Sequence, residues 1–135
     1  MSIPPAGLLD TSVFVATESG RPLRELPRRV AVSVITIGEL QLGVLAARDP
    51  EHRALRADTL ALARGADPIP VTEAVMVTWA RLVSDCRAAG IQRVVKLTDA
   101  LIAATAVEHG LPVVARGDDF DAIAGAYAPL AVERV

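Results

Sequence analysis

The sequence predicts an α/β protein, a mainly parallel sheet with helices packed on both of its faces. Short apolar runs alternate with longer stretches of helical periodicity along the chain. The apolar runs, such as Gly7-Leu8-Leu9 and Leu111-Pro112-Val113-Val114, also lack the in-out alternation of a strand with one wet face. Strands buried on both sides read as continuous hydrophobic runs, and crossover helices are what bury them. A length of 135 residues fits one domain spanning 1–135, able to build a core without disulfides or structural metals.

The elements follow in order. Residues 7–13 read as a buried strand that ends in polar residues. Residues 21–29, with four arginines and two prolines, are a short helix or a loop, and 30–33 form a second short strand. Residues 35–47 are helical, with Leu40, Val44 and Ala47 on one stripe. Pro50 stands at the first position of a helix that runs to about Ala63. Residues 67–71 are briefly extended. Thr72 caps a long helix ending near Gly90, and residues 98–109 form a helix stopped by Gly110. Residues 111–114 are a strand, Asp118-Asp119-Phe120 starts a short helix, and 130–135 are the last strand. No repeat, low-complexity tract or linker interrupts this order.

Composition narrows the function classes. Hydrophobic residues make up 52% and aromatics only 3%, so the core is aliphatic. The surplus of aliphatics fits burial against a partner, and it fits an Ala-rich helical protein equally well. The single cysteine, Cys86, forms no internal disulfide, which suits a reducing compartment; with no His nearby in sequence, it is no candidate nucleophile. The N-terminus has neither a basic nor an apolar signal region, and no run is long enough to span a membrane, so a soluble, cytoplasmic protein is expected. Net charge is −2 and the pI about 5.6, which counts against nucleic-acid binding unless a bound cation offsets it locally. All but one of the 14 basic residues are Arg, the exception being Lys96; Arg favours bidentate phosphate contacts, but GC-rich coding is the preferred explanation of this bias.

The acids carry the chemistry. Asp10 ends a buried strand, where desolvation demands partners or a cation, though an N-cap role competes. Glu39 falls in Thr36-Ile-Gly-Glu39, which is also capping-box spacing. Asp99 opens a helix, where the dipole alone welcomes an acid. Asp118 and Asp119 follow a strand, where turn chemistry and capping are the ordinary roles. A doubly wound sheet brings such positions together beyond its strand ends. Two bare carboxylates about 4 Å apart repel by about 4 kcal/mol at an effective dielectric constant of 20. A cluster therefore protonates or binds a cation, and all-oxygen donors select hard ions such as Mg²⁺ or Mn²⁺. Bound there, such an ion polarises a phosphoryl oxygen and activates water. Other chemistries fit poorly. His52 and His109 are isolated, no glycine-rich phosphate loop is present, Ser12 and Ser33 have no His base placed by a motif, and an Asp-x-Asp phosphatase would need an acid where Ser12 stands.

The segments Leu8-Leu9-Asp10-Thr11-Ser12-Val13-Phe14, Gly38-Glu39-Leu40, Thr98-Asp99-Ala100-Leu101-Ile102-Ala103-Ala104-Thr105-Ala106 and Gly117-Asp118-Asp119-Phe120 resemble those of the PIN-domain ribonucleases. More narrowly they resemble the VapC toxins of bacterial VapBC toxin–antitoxin pairs. The resemblance implies a three-layer α/β/α fold with a central five-stranded parallel sheet. It implies Mg²⁺- or Mn²⁺-dependent endonucleolytic cleavage of RNA, often transfer or ribosomal RNA. Asp10 and Asp99 become direct metal ligands, Glu39 ligates directly or through water or orients the attacking water, and Asp119 holds a second metal or its waters. Ser12 is expected to hydrogen-bond within the acidic cluster. A cognate antitoxin and a homodimer are the implied partners. Relatives often carry an Asp where this chain has Gly117, so Asp118 is the alternative to Asp119 as the fourth acid. Two other readings remain: a non-catalytic PIN-like RNA- or protein-binding module, and a metal-dependent nuclease outside any toxin system. The arginines of 21–29 are expected to hold RNA phosphates.

Overall fold

In the computed structural model, residues 6–135 are described; the N-terminal reading of the sequence concerns residues that lie mostly outside these. The chain opens with β1 (Ala6–Leu9), passes directly into α1 (Thr11–Glu18) and returns through a loop to β2 (Arg29–Ala31). Three helices follow, α2 (Val34–Ala46), α3 (Pro50–Arg64) and α4 (Glu73–Ala88). A single 3₁₀ turn, Gln92–Val94, leads to α5 (Leu97–Glu108), then β3 (Val113–Ala115), α6 (Asp121–Ala126) and β4 (Val132–Arg134). The sheet order is β2-β1-β3-β4 and every pairing is parallel.

Alternate strand residues face opposite layers, as a two-sided sheet requires. Leu8, Val113 and Ala115 join Leu82, Ile102, Phe120 and Ile123 in the core beneath α4, α5 and α6. Leu9 and Val114 face the other way, with Val13 of α1. There α2 and α3 add a smaller cluster of Leu40, Leu60 and Ala63. The expected α/β/α layering is therefore present. Gly7 fits its place in β1 because a Cβ there would stand 2.5 Å from Val114 Cγ2. Gly110, at φ +66°, ends α5 in the left-handed conformation that side chains rarely adopt.

Two expectations need correction. The run 7–13 is not one strand: the Asp10 carboxylate accepts from the Ser12 backbone N–H at 3.1 Å and starts α1 within it. The arginine-rich segment, open between a short helix and a loop, is a loop whose end alone enters β2. The fifth strand is reduced to one parallel bridge, Ser33 with Ile69. Ile69 makes both available backbone bonds, its N–H donating to Val32 O at 2.8 Å and its carbonyl accepting from Val34 N at 3.0 Å. Pro68 and Pro70 flank it and have no N–H to extend the ladder. Among the described residues no helix is long and apolar enough to cross a membrane.

Candidate active site

Parallel strands all present their carboxyl ends to one edge, and the acids gather there. Asp10 follows β1 and is buried at 4% exposure. Its Oδ2 caps α1, so the capping and cleft positions are combined in one residue. Glu39 lies in the second turn of α2, whose N-cap is Ser33, with the Ser33 hydroxyl accepting from Ile35 N at 3.0 Å. That removes the capping-box explanation of Glu39. Asp99 sits in the first turn of α5, and Gly117 and Asp119 follow β3. Asp10, Glu39, Asp99 and Asp119 line one cleft of about 290 Å³, together with Thr11, Ser12, Val15, Arg21, Lys96, Arg116 and Gly117.

Several of these groups carry no sequence motif of their own. Thr11 Oγ1 donates to Glu39 Oε1 at 2.7 Å and lies 3.1 Å from the buried Thr36 Oγ1. A hydroxyl has one proton, so with that of Thr11 given to the carboxylate, Thr36 donates to Thr11. The pair holds Glu39 in place across 28 residues of sequence. Ser12 bonds the Asp10 carboxylate through its backbone N–H, while its Oγ accepts from the Arg116 backbone N–H at 3.1 Å. It ties the first turn of α1 to the end of β3.

Electrostatics mark Asp99. Desolvation, and then the charges of Asp10, Asp119 and Glu39, push its carboxyl up to about 6, while Lys96 acts the other way. An acid at a helix N-terminus is normally favoured in its charged form, so burial and crowding outweigh the dipole here. The donors are oxygens, partly desolvated and unneutralised, which is chemistry that fits a hard divalent cation. Among the described residues, no three His, Cys, Asp or Glu side chains stand close enough to grip an ion as they lie. The donors are thus gathered around the cleft but not closed into a cage, as repulsion among bare carboxylates requires.

The remaining candidates fall elsewhere. Asp118 is exposed and does not border the cleft; its carbonyl accepts from Asp121 N at 3.0 Å. No side chain caps α6, which starts at Asp121 rather than at Asp118. Of the basic segment only Arg21 reaches the cleft. Arg28 and Arg29 stand at the amino end of β2, the edge opposite the acids. His52 and His109 are exposed, and His52 pairs with Asp49 at 2.7 Å. Cys86 is buried, and that burial pushes its thiol up, which leaves it unreactive.

A doubly wound sheet with carboxylates collected beyond its strand ends defines an α/β protein whose cleft suits a hard cation. The chain belongs to the PIN-domain family, whose model matches residues 7–126. Membership implies a divalent metal cofactor. It is 72% identical to Ribonuclease VapC8 of Mycobacterium tuberculosis over 100 residues, 74% of this chain and 89% of that protein. It is 46% identical to Ribonuclease VapC5 of the same organism over 125 residues, 91% of each. The crystal structure of VapBC-5, a Mycobacterium tuberculosis member of the VapBC family of toxin–antitoxin systems, superposes with a TM-score of 0.88. That match has 40% identity and covers 98% of this chain and 100% of the other.

The cleft separates the two candidates for the fourth acid. Asp119→Asn is expected to lower RNA cleavage at least about 10-fold more than Asp118→Asn, the scale of losing a group that holds a metal or its waters. Unfolding curves of both should match the parent. Loss of cleavage in Asp118→Asn alone would mean that Asp118 occupies the place left by Gly117.

Proposed function

We propose that the chain is the toxin of a type II toxin–antitoxin pair, a metal-dependent endoribonuclease working as one PIN domain over residues 1–135. The observation that carries this is the single cleft bordered by Asp10, Glu39, Asp99 and Asp119, four acids from four different elements. Its relatives are ribonucleases by name, and the VapBC-5 match is to a toxin–antitoxin complex. Asp10 and Asp99 hold Mg²⁺ or Mn²⁺, joined by Asp119. Glu39, steadied by Thr11 and Thr36, ligates or orients the attacking water. When bound, the ion polarises a phosphoryl oxygen and lowers the pKa of a water. Ser12 keeps the Asp10 and Arg116 ends of the site in register.

The aliphatic surplus supports partners. Leu42 and Leu45 of α2 and Leu55 and Leu62 of α3 are exposed, as are Val94 and Leu97 before and in α5. Such a surface suits a cognate antitoxin and a homodimer contact. RNA in the cytoplasm is the substrate.

Purified protein is expected to cleave RNA with Mg²⁺ or Mn²⁺ and to stop in EDTA. Expression alone should arrest growth, and a small co-encoded protein should restore it. Full cleavage in chelator would sink the metal mechanism. Metal-dependent cleavage without growth arrest would place the nuclease outside a toxin system, and RNA binding without cleavage would make it a binding module.

A further inference from the structure

Arg116 is the cleft residue that the carboxylate chemistry leaves unused. Its backbone is fixed: it directly follows β3, and its N–H donates to Ser12 Oγ at 3.1 Å, a bond spanning 104 residues of sequence. Its side chain is not fixed. Four carboxylates border the same cleft, yet among the described residues the ion pairs are His52 with Asp49 and Arg134 with Asp121, and none includes Arg116. Its Nε is buried with no hydrogen-bond partner. Buried donors are normally satisfied, and a guanidinium this close to acids normally forks onto one. Lys96, not Arg116, is the cation that opposes the raised titration of Asp99. A guanidinium on a fixed stretch of backbone, with an unmet Nε donor and beside a site for phosphodiester cleavage, is built for an acceptor that arrives from outside.

Resting on the ribonuclease reading, we propose that Arg116 is a catalytic residue that grips a non-bridging oxygen of the scissile phosphate with its guanidinium fork. Arg suits this because its planar fork matches phosphate geometry and stays charged at every working pH. The carboxylates repel an RNA phosphate, and a cation on the same wall lowers that barrier where charge builds up in the transition state. Gly117 next to it carries no side chain, and a Cβ there would meet nothing within 4 Å.

The experiment compares Arg116→Gln and Arg116→Lys with the parent on a single-stranded RNA oligonucleotide that the parent cleaves. Arg116→Gln is expected to lower kcat/KM about 100-fold, the scale of losing one preorganised oxyanion donor. Arg116→Lys should recover only part of it. Binding of the same RNA in the Asp99→Asn background, with EDTA present, gives a readout free of the metal and of turnover. There the added Arg116→Gln should reduce the salt slope of affinity by about 0.7, one phosphate contact on a single strand. Unfolding midpoints should be unchanged. Full activity in Arg116→Gln, or full recovery in Arg116→Lys, would overturn the fork contact. So would a shifted pH–rate profile with an unaltered salt slope, which would make Arg116 an internal counter-charge. A parent that binds the RNA without cutting it would defeat the ribonuclease reading instead, while the slope would still report on Arg116.

Discussion

Asp99→Asn is expected to abolish cleavage and, in metal-free protein at neutral pH, to raise stability. Loss of an outer partner of a metal site already costs about 10- to 100-fold, so loss of this central carboxylate should exceed about 100-fold. The stability gain follows from the raised carboxyl at about 6. With a folded pKa above the unfolded one, the folded protein holds a proton that the unfolded chain gives up first. The stabilisation is therefore complete below the ordinary aspartate range near 3.8 and is lost as pH rises through about 6. Above that, Asp99 is charged among Asp10, Asp119 and Glu39, and the neutral amide avoids the repulsion. Mg²⁺ or Mn²⁺ should reverse the ranking, raising the melting temperature of the parent but not of the variant. Because the ion must displace that proton, its apparent affinity should fall about tenfold per pH unit below 6. Thermal melts at pH 4, 6 and 8, with and without metal, test each part. A variant that melts with the parent under all conditions would remove Asp99 from the crowded site.

Phe120→Ala carries the largest expected loss of stability. Phe120 is fully buried and packs in the core shared by α4, α5 and α6 with the sheet. Truncating a buried Phe costs about 3–5 kcal/mol, a large share of the stability of a domain this size. The same side chain anchors the turn that carries Asp119, since it is the N-cap residue of α6 and its carbonyl accepts from Ala124 N at 2.9 Å. The Ala variant should therefore lose cleavage even at temperatures where it remains folded. Phe120→Leu should keep most of both. Denaturant unfolding at fixed pH measures the first effect, and cleavage by the folded fraction measures the second. Wild-type activity in folded Phe120→Ala would release Asp119 from dependence on this anchor.

What the sequence disclosed depended on whether a feature was local. Helices α2 to α5 were legible to within a few residues because their caps and apolar stripes lie within one turn: Thr72 accepts from Val75 N, and Pro50 stands at the start of α3. Helix α1 was hidden because Thr11, Val13, Phe14 and Val15 favour strands. The Asp10 cap and the burial of Val13 and Ala16 overrule them. The fifth strand failed through Pro68 and Pro70, whose missing N–H groups were visible but whose position in the ladder was not. Asp10 and Asp99 stood out because each ends or opens an element, while Glu39, inside α2, and Asp119, in the turn before α6, stood out through the motif resemblance. Thr36, Lys96 and Arg116 gained meaning only from tertiary neighbours, since nothing in spacing tells that Thr11 meets Thr36 or that Ser12 meets Arg116.

The strand order has a consequence for how the protein is born. Strand β1 sits in the middle of the sheet, but one of its two neighbours, β3, is made long after it, with helices α1 to α5 in between. Leu8 and Leu9 must wait for Val113 and Val114, and Asp10 for Asp119. Ribosomes add about 5–20 residues per second, so a growing chain spends seconds with its first acid exposed and its fourth not yet synthesised. Such distant pairings also make folding slow relative to helical bundles. A nascent chain therefore holds no assembled cleft until β3 and Asp119 have been made beside the translation machinery, whose RNA is the kind of substrate proposed for it. The cleft assembles only once both distant segments are available, and that leaves an interval in which a partner already present can meet the chain.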